Sequence, residues 1–97
     1  MALRISDNAA ELRYELHDDG ELVGEIRYRK VPGGYALVHT EVEPKRHGLG
    51  TALVQGALDD MRARGLRVVP VCPFVITYIR RHPEYADLVS DDDDQAE

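Results

Sequence analysis

From Glu11 onward apolar and polar residues alternate. Leu12, Tyr14 and Leu16 fall on one side and Arg13 and Glu15 on the other, the period of a half-buried strand. Asp18-Asp19-Gly20 interrupts it with a hairpin turn signal. A second strand follows, with Leu22, Ile26 and Tyr28 set against Glu25, Arg27 and Arg29. Gly24 falls on its apolar side, which implies a bulge or a close neighbour there. Pro32-Gly33-Gly34 makes the next turn, and Tyr35 to Val42 reads as a third strand, more deeply buried at Ala36-Leu37-Val38. Three strands joined by short turns make an antiparallel meander. Residues 1–10 show no such period, and Ser6-Asp7-Asn8 is turn-prone, so they read as a weakly ordered lead-in.

Beyond residue 48 the period lengthens. Leu49, Ala52, Leu53, Gly56, Ala57 and Met61 recur at helical spacing, with Asp59, Arg62 and Arg64 outward and Gly65 placed to end the helix. Leu66 to Val71 is apolar and β-branched, a buried fourth strand. The strand–helix–strand connection makes it parallel to the third strand, with a right-handed crossover. Pro70 has no N–H, so this strand lies at the sheet edge or is bulged. Pro73 suits the first position of a second helix, with Cys72 as its cap; the helix runs to about Arg81 and Pro83 ends it. Tyr85 and Leu88 are expected to fold back onto the core. The expected fold is α/β, in mixed α+β form: β-β-β-α-β-α around a mixed, mainly antiparallel four-stranded sheet. Residues 1–89 make one domain. Residues 90–97 hold Asp91, Asp92, Asp93, Asp94 and Glu97 and are expected to be a disordered acidic tail.

The turn between the third strand and the first helix carries the clearest chemistry. In Lys45-Arg46-His47-Gly48-Leu49-Gly50-Thr51, two glycines let the backbone approach a ligand and take up positive φ. The following helix points its unpaired N–H groups back at the turn, a geometry that binds phosphate. Lys45, Arg46 and His47 add positive charge. A plain strand-to-helix turn accounts for the same glycines. Two other phosphate loops are excluded: a P-loop needs Lys where Thr51 stands, and a dinucleotide fingerprint needs Gly where Leu53 stands.

What remains, Lys45-x-x-Gly48-x-Gly50, resembles the pyrophosphate loop of the GNAT N-acetyltransferases. The first residue there is usually Arg or Gln; Lys45 keeps a positive charge. The resemblance extends over residues 10–89, through His39-Thr40-Glu41-Val42, Val69-Pro70-Val71-Cys72-Pro73-Phe74-Val75 and Tyr78-Ile79-Arg80-Arg81-His82-Pro83-Glu84-Tyr85. These segments in order are similar to a compact, single-domain branch of that superfamily. The C-terminal strands that wall the acceptor pocket of larger members have no counterpart among them. The resemblance implies acetyl-CoA as cofactor, held by Val42 and by Lys45, Arg46, His47, Gly48, Leu49, Gly50 and Thr51. It implies transfer of the acetyl group to an amine whose identity the residues do not give. The alternative is a CoA-binding or protein-interaction module without turnover.

Such a transfer needs a base for the amine, polarisation of the carbonyl oxygen and a proton for the leaving thiolate. By period two, Tyr35, Leu37, His39 and Glu41 share one strand face, so His39 and Glu41 are the base candidates. Each also fits a plain role, Glu41 as a solvated carboxylate and His39 as a packed, hydrogen-bonded ring. Tyr78 shares a helix side with Phe74 and His82. The resemblance implies a tyrosine there that protonates the leaving sulfur; core packing suits it equally. Arg80, Arg81 and His82 suit CoA phosphates, an acidic acceptor or a solvated helix end. Cys72, at a helix N-terminus, is placed to favour a thiolate. Its roles are nucleophile, proton donor or small buried hydrophobe.

Charge supports an anionic ligand. The chain carries a net charge of -6. Residues 45–82 nevertheless hold seven basic residues against two acids, a net of +5. Phe74, Tyr78 and Tyr85 are the aromatics of that half and form no stacking series, which disfavours nucleic acid. No apolar run is long enough for a membrane span, and no signal-peptide core opens the chain. The lone Cys72 fits a reducing cytoplasm. No metal site is expected, and the chain reads as a monomer or weak homodimer.

Overall fold

A computed structural model describes residues 2–44 and 47–90. The expectations for Lys45 and Arg46, and for the tail from Asp91, lie outside the described residues. The strands are β1 (Leu3–Asn8), β2 (Arg13–Asp18), β3 (Glu21–Val31), β4 (Gly34–Val42) and β5 (Arg67–Pro70). Helix α1 (Leu49–Ala63) follows β4, and α2 (Pro73–Arg81) follows β5. Short 3₁₀ turns cover Ala9–Glu11 and Pro83–Leu88. The sheet runs β1-β2-β3-β4-β5 in sequence order; all neighbours are antiparallel except β4 and β5.

The sheet therefore has five strands, not four. The residues read as a lead-in form β1, paired with β2 from Leu3↔Asp18 to Asn8↔Arg13. Its hydrophobic period is weak because polar bonds hold it as much as burial does. Asp7 accepts from the hydroxyls of Tyr28 and Tyr35 and from Arg64. Where β1 crosses α1, a side chain on Gly56 would meet Ile5 at 3.1 Å.

Two leucines assigned to the core are exposed. Leu12 closes the first 3₁₀ turn at φ 56, outside the strand. Leu22 is displaced by a bulge: Leu16 pairs with Gly24 but His17 with Leu22, so Val23 is the extra residue and turns inward instead. Gly24 sits under a close neighbour, since a Cβ there would lie 3.0 Å from Val42 and 3.3 Å from Leu53.

A second bulge matters more. Tyr28 pairs with Leu37 but Arg27 with His39, so Val38 is extra in β4. Side chains directly opposite each other share a face. Leu37 thus lies with Tyr28 on the helical face, and after the bulge Thr40 lies there with Ile26. His39 and Glu41 fall opposite Arg27 and Glu25 on the other face. The expectation that His39 and Glu41 share a face with Tyr35 and Leu37 is corrected: one inserted residue reverses the alternation.

Both helices pack on the face carrying Tyr14, Leu16, Ile26 and Leu37, through Leu53, Ala57, Leu58 and Met61 of α1 and Val75 and Ile79 of α2. Tyr85 and Leu88 fold back into this core as expected, and the Tyr85 hydroxyl donates to Asp59. β5 is an edge strand, which accommodates Pro70; beyond it lies a single parallel bridge, Val68↔Val89. The opposite face carries a ladder of charge with no helix over it.

Candidate functional site

β4 and β5 pair only as far as Leu37↔Pro70. There the Leu37 carbonyl accepts from the amides of both Val71 and Cys72, at 3.1 and 2.9 Å, and the chain turns away into α2. β4 runs on to Val42 without a partner on that side. The amide of Glu43 bonds the Val23 carbonyl at 2.8 Å, which fixes the alternation of the ladder. Thr40 and Val42 therefore point their backbone N–H and C=O groups away from β3, into the gap between the diverging strands.

The gap opens into a cleft of about 370 Å³ lined by Thr40, Val42, Phe74 and the run His47 to Thr51. Gly48 caps α1 at φ 82, in the left-handed region where glycine alone is unstrained. The amide of Ala52 makes the first turn's bond, to Gly48 at 3.0 Å. The amides of Leu49, Gly50 and Thr51 precede it and are left facing the cleft. No side chain caps them and no acid stands in the first turn, so the positive end of the helix is unneutralised there. Gly50 has a different reason to be glycine: a Cβ would lie 2.8 Å from the Phe74 ring. It makes room for that ring at the cleft wall rather than for a strained backbone.

Cys72 is 6% exposed at the head of α2. Its sulfur lies 3.3 Å from the Thr40 hydroxyl, which ties α2 to the free edge of β4. Burial pushes the thiol's pKa up. The Thr40 hydroxyl and the amides of Val75, Phe74 and Thr40 favour the thiolate more strongly, and the net effect is a lowered pKa.

Of the residues named from sequence, His47, Gly48, Leu49, Gly50, Thr51 and Val42 are thus brought together around one cleft, with Cys72 beside it through Thr40. Glu41 is not among them: its side chain is 71% exposed on the opposite face, 3.8 Å from His39. Tyr78 lines an adjacent hollow of about 100 Å³ with Thr77, Arg81 and His82; Thr51 and Phe74 belong to both cavities. Its ring stacks on His82 at 4.0 Å. Burial, then Asp59 and Glu84, raise its pKa and keep it protonated. Thr40 and Phe74 were not singled out from sequence. Thr40 was concealed by the Val38 bulge, while Phe74, next but one after Cys72 at the start of α2, was legible from helix capping alone. Among the described residues no cluster of ligating side chains fit for a metal occurs, and no helix is long and apolar enough to cross a membrane.

The family described as GCN5-related N-acetyl-transferase matches residues 13–88 of the chain. Among solved structures, the solution structure of a GCN5-like protein from Staphylococcus aureus is similar over 91% of this chain and 88% of its own. The TM-score is 0.66 and the sequence identity 23%, a likeness of fold. No curated protein matches the sequence significantly.

Proposed function

The chain belongs to the GCN5-related N-acetyltransferase family, and on that footing we propose that it binds acetyl-CoA and transfers the acetyl group to an amine. The observation that carries this reading is the uncapped N-terminus of α1 opening into a cleft beside the unpaired edge of β4. The residues present suit the cofactor. The amides after Gly48 suit a pyrophosphate, with Lys45, Arg46 and His47 next to them in sequence. The C=O of Thr40 and the N–H and C=O of Val42, which point away from β3, suit the amides of an extended arm, added as a strand would be.

Bound there, acetyl-CoA supplies an activated acyl group as a thioester. The protein's residues supply the proton handling. Cys72, buried and bonded to Thr40, holds a proton where a sulfur has to leave; Tyr78, kept protonated, is the second donor on the same helix. Glu41, with His39 beside it, takes the proton of the incoming amine from the other face of β4. The lowered pKa of Cys72 favours one variant, in which its thiolate carries the acetyl group before the amine does. A second reading is a CoA-binding module without turnover. It is favoured by the sheet ending at β5, which leaves the cleft unwalled on that side.

Calorimetric titration of CoA into the wild type and Gly48→Val tests the binding assignment. A Cβ there meets nothing within 4 Å, but valine is strained at φ 82, at a cost of roughly 1–2 kcal/mol. The expected result is a folded variant with at least about tenfold weaker binding, or 1.4 kcal/mol. Unchanged affinity removes the turn from the site. Thiol release from acetyl-CoA with a pool of amines then separates the enzyme from the module.

A further inference from the structure

Four of the five tyrosines donate their hydroxyls to carboxylates: Tyr14 to Asp60, Tyr28 and Tyr35 to Asp7, and Tyr85 to Asp59. The hydroxyl of Tyr78 has no hydrogen bond among the described residues, although Tyr78 is only 7% exposed. No side-chain polar atom there is both fully buried and unpartnered, so this hydroxyl is open to solvent. Tyr78 lines its small hollow with Thr77, Arg81 and His82. Arg81 is exposed and has no ion pair among the described residues. His82 donates its Nδ1–H to the Tyr78 carbonyl at 2.9 Å and stacks on the Tyr78 ring, so the two rings form one fixed wall. No acid lines the hollow. Asp59 and Glu84 act on Tyr78 from outside the lining, and Asp59 is already engaged by Tyr85.

This hollow adjoins the cleft. Thr51 and Phe74 line both cavities, and Gly50 makes room for the Phe74 ring. In the reading above, the cofactor's pyrophosphate lies at the amides after Gly48, and its thioester arm follows β4 past Val42 and Thr40 towards Cys72. On the other side of the pyrophosphate comes the nucleoside, whose one further anion is the 3′-phosphate of its ribose. The hollow is the smaller cavity, about 100 Å³ against about 370 Å³, and suits a single phosphate group rather than the whole nucleoside. A guanidinium and a hydroxyl are the donors that a phosphate monoester takes.

We propose, building on the acetyl-CoA reading above, that this hollow takes the ribose 3′-phosphate, with Arg81 supplying the charge and the Tyr78 hydroxyl a hydrogen bond. Arg81 is then a specificity residue that distinguishes CoA from its 3′-dephospho form. The 3′-phosphate and the sulfur stand at opposite ends of the cofactor, so one tyrosine does not serve both. Of the two proton donors named above, Cys72 is therefore the one at the sulfur.

Calorimetric titrations of CoA and of 3′-dephospho-CoA make the test, since the two share the arm, the pyrophosphate and the adenosine. The wild type is expected to bind CoA at least about tenfold more tightly. Arg81 is exposed, so its replacement spares the core. Arg81→Ala is expected to bring the affinity for CoA down to that for the dephospho form, which itself changes little; Arg81→Lys restores part of the preference. Tyr78→Phe is expected to reduce the preference by a smaller factor. Equal affinity of the wild type for the two ligands, or equal loss of both in Arg81→Ala, overturns the inference. So does a Tyr78→Phe variant that keeps the full preference while losing thiol release from acetyl-CoA, because Tyr78 then serves the sulfur. A wild type that binds neither ligand overturns the underlying reading instead.

Discussion

Asp7→Ala should cost this domain much of its stability, although it removes no apolar core residue. Strand β1 buries little: Ile5, Asp7 and Asn8 are half-buried and its other residues exposed. Asp7, whose side chain is 10% exposed, accepts from the Tyr28 hydroxyl, from the Tyr35 hydroxyl at 2.7 Å and from Arg64 at 2.8 Å. Hydrogen bonds to a charged group are worth roughly 1.5–3 kcal/mol each. The two rings stack at 3.9 Å, so their hydroxyls can turn to each other and recover part of one bond. Arg64 is 44% exposed and keeps Asp60 at 2.8 Å, so its share is small. The net loss is about 2–4 kcal/mol, which for a domain of this size lowers Tm by roughly 10–25 °C. Thermal melting followed by circular dichroism measures it. A drop below about 5 °C would show that water replaces the carboxylate and that β1 is held by its ladder alone. A pH series checks the same reasoning. Burial raises the Asp7 pKa, but Arg64, Tyr28 and Tyr35 outweigh it and the folded value is lowered. The stabilisation is complete above the unfolded pKa and is lost as pH falls through the folded one. Wild-type Tm should therefore fall more steeply in acid than that of Asp7→Ala; parallel profiles would refute the assignment.

Two predictions concern the site. Thr40→Val removes the hydroxyl that favours the Cys72 thiolate, so the thiol's pKa should rise; a titration of thiolate ultraviolet absorbance in the two proteins reads it, and an unchanged or lower value would discount the bond. Glu41→Gln should reduce kcat by about 10²-fold or more, the usual worth of a general base, while the affinity for CoA measured by calorimetry stays as in the wild type. A large loss of CoA affinity would mean that Glu41 serves the helical face after all.

What was legible in the residues follows from what each signal measures. The Gly48 turn, the crossover through α1 and the head of α2 at Pro73 are local events set by glycine, proline and period, and they were readable without partners. β1 was not, because its anchor is a carboxylate whose partners lie 21, 28 and 57 residues away, and a hydrophobic period does not register such bonds. The face of His39 and Glu41 was misread for a different reason. A bulge is one residue of surplus on one strand relative to another, so it exists only in the pairing and leaves no mark in either strand alone. Its consequence is chemical. Without Val38 as the extra residue, His39 and Glu41 would share the helical face with Leu37, and the Thr40 hydroxyl would point away from Cys72. With it, β4 presents Thr40 and Val42 to the cleft on the helical side and His39 and Glu41 to the other. In the proposed transfer a single strand would then hold the acyl donor along its edge from one side, with Glu41 facing the opposite side.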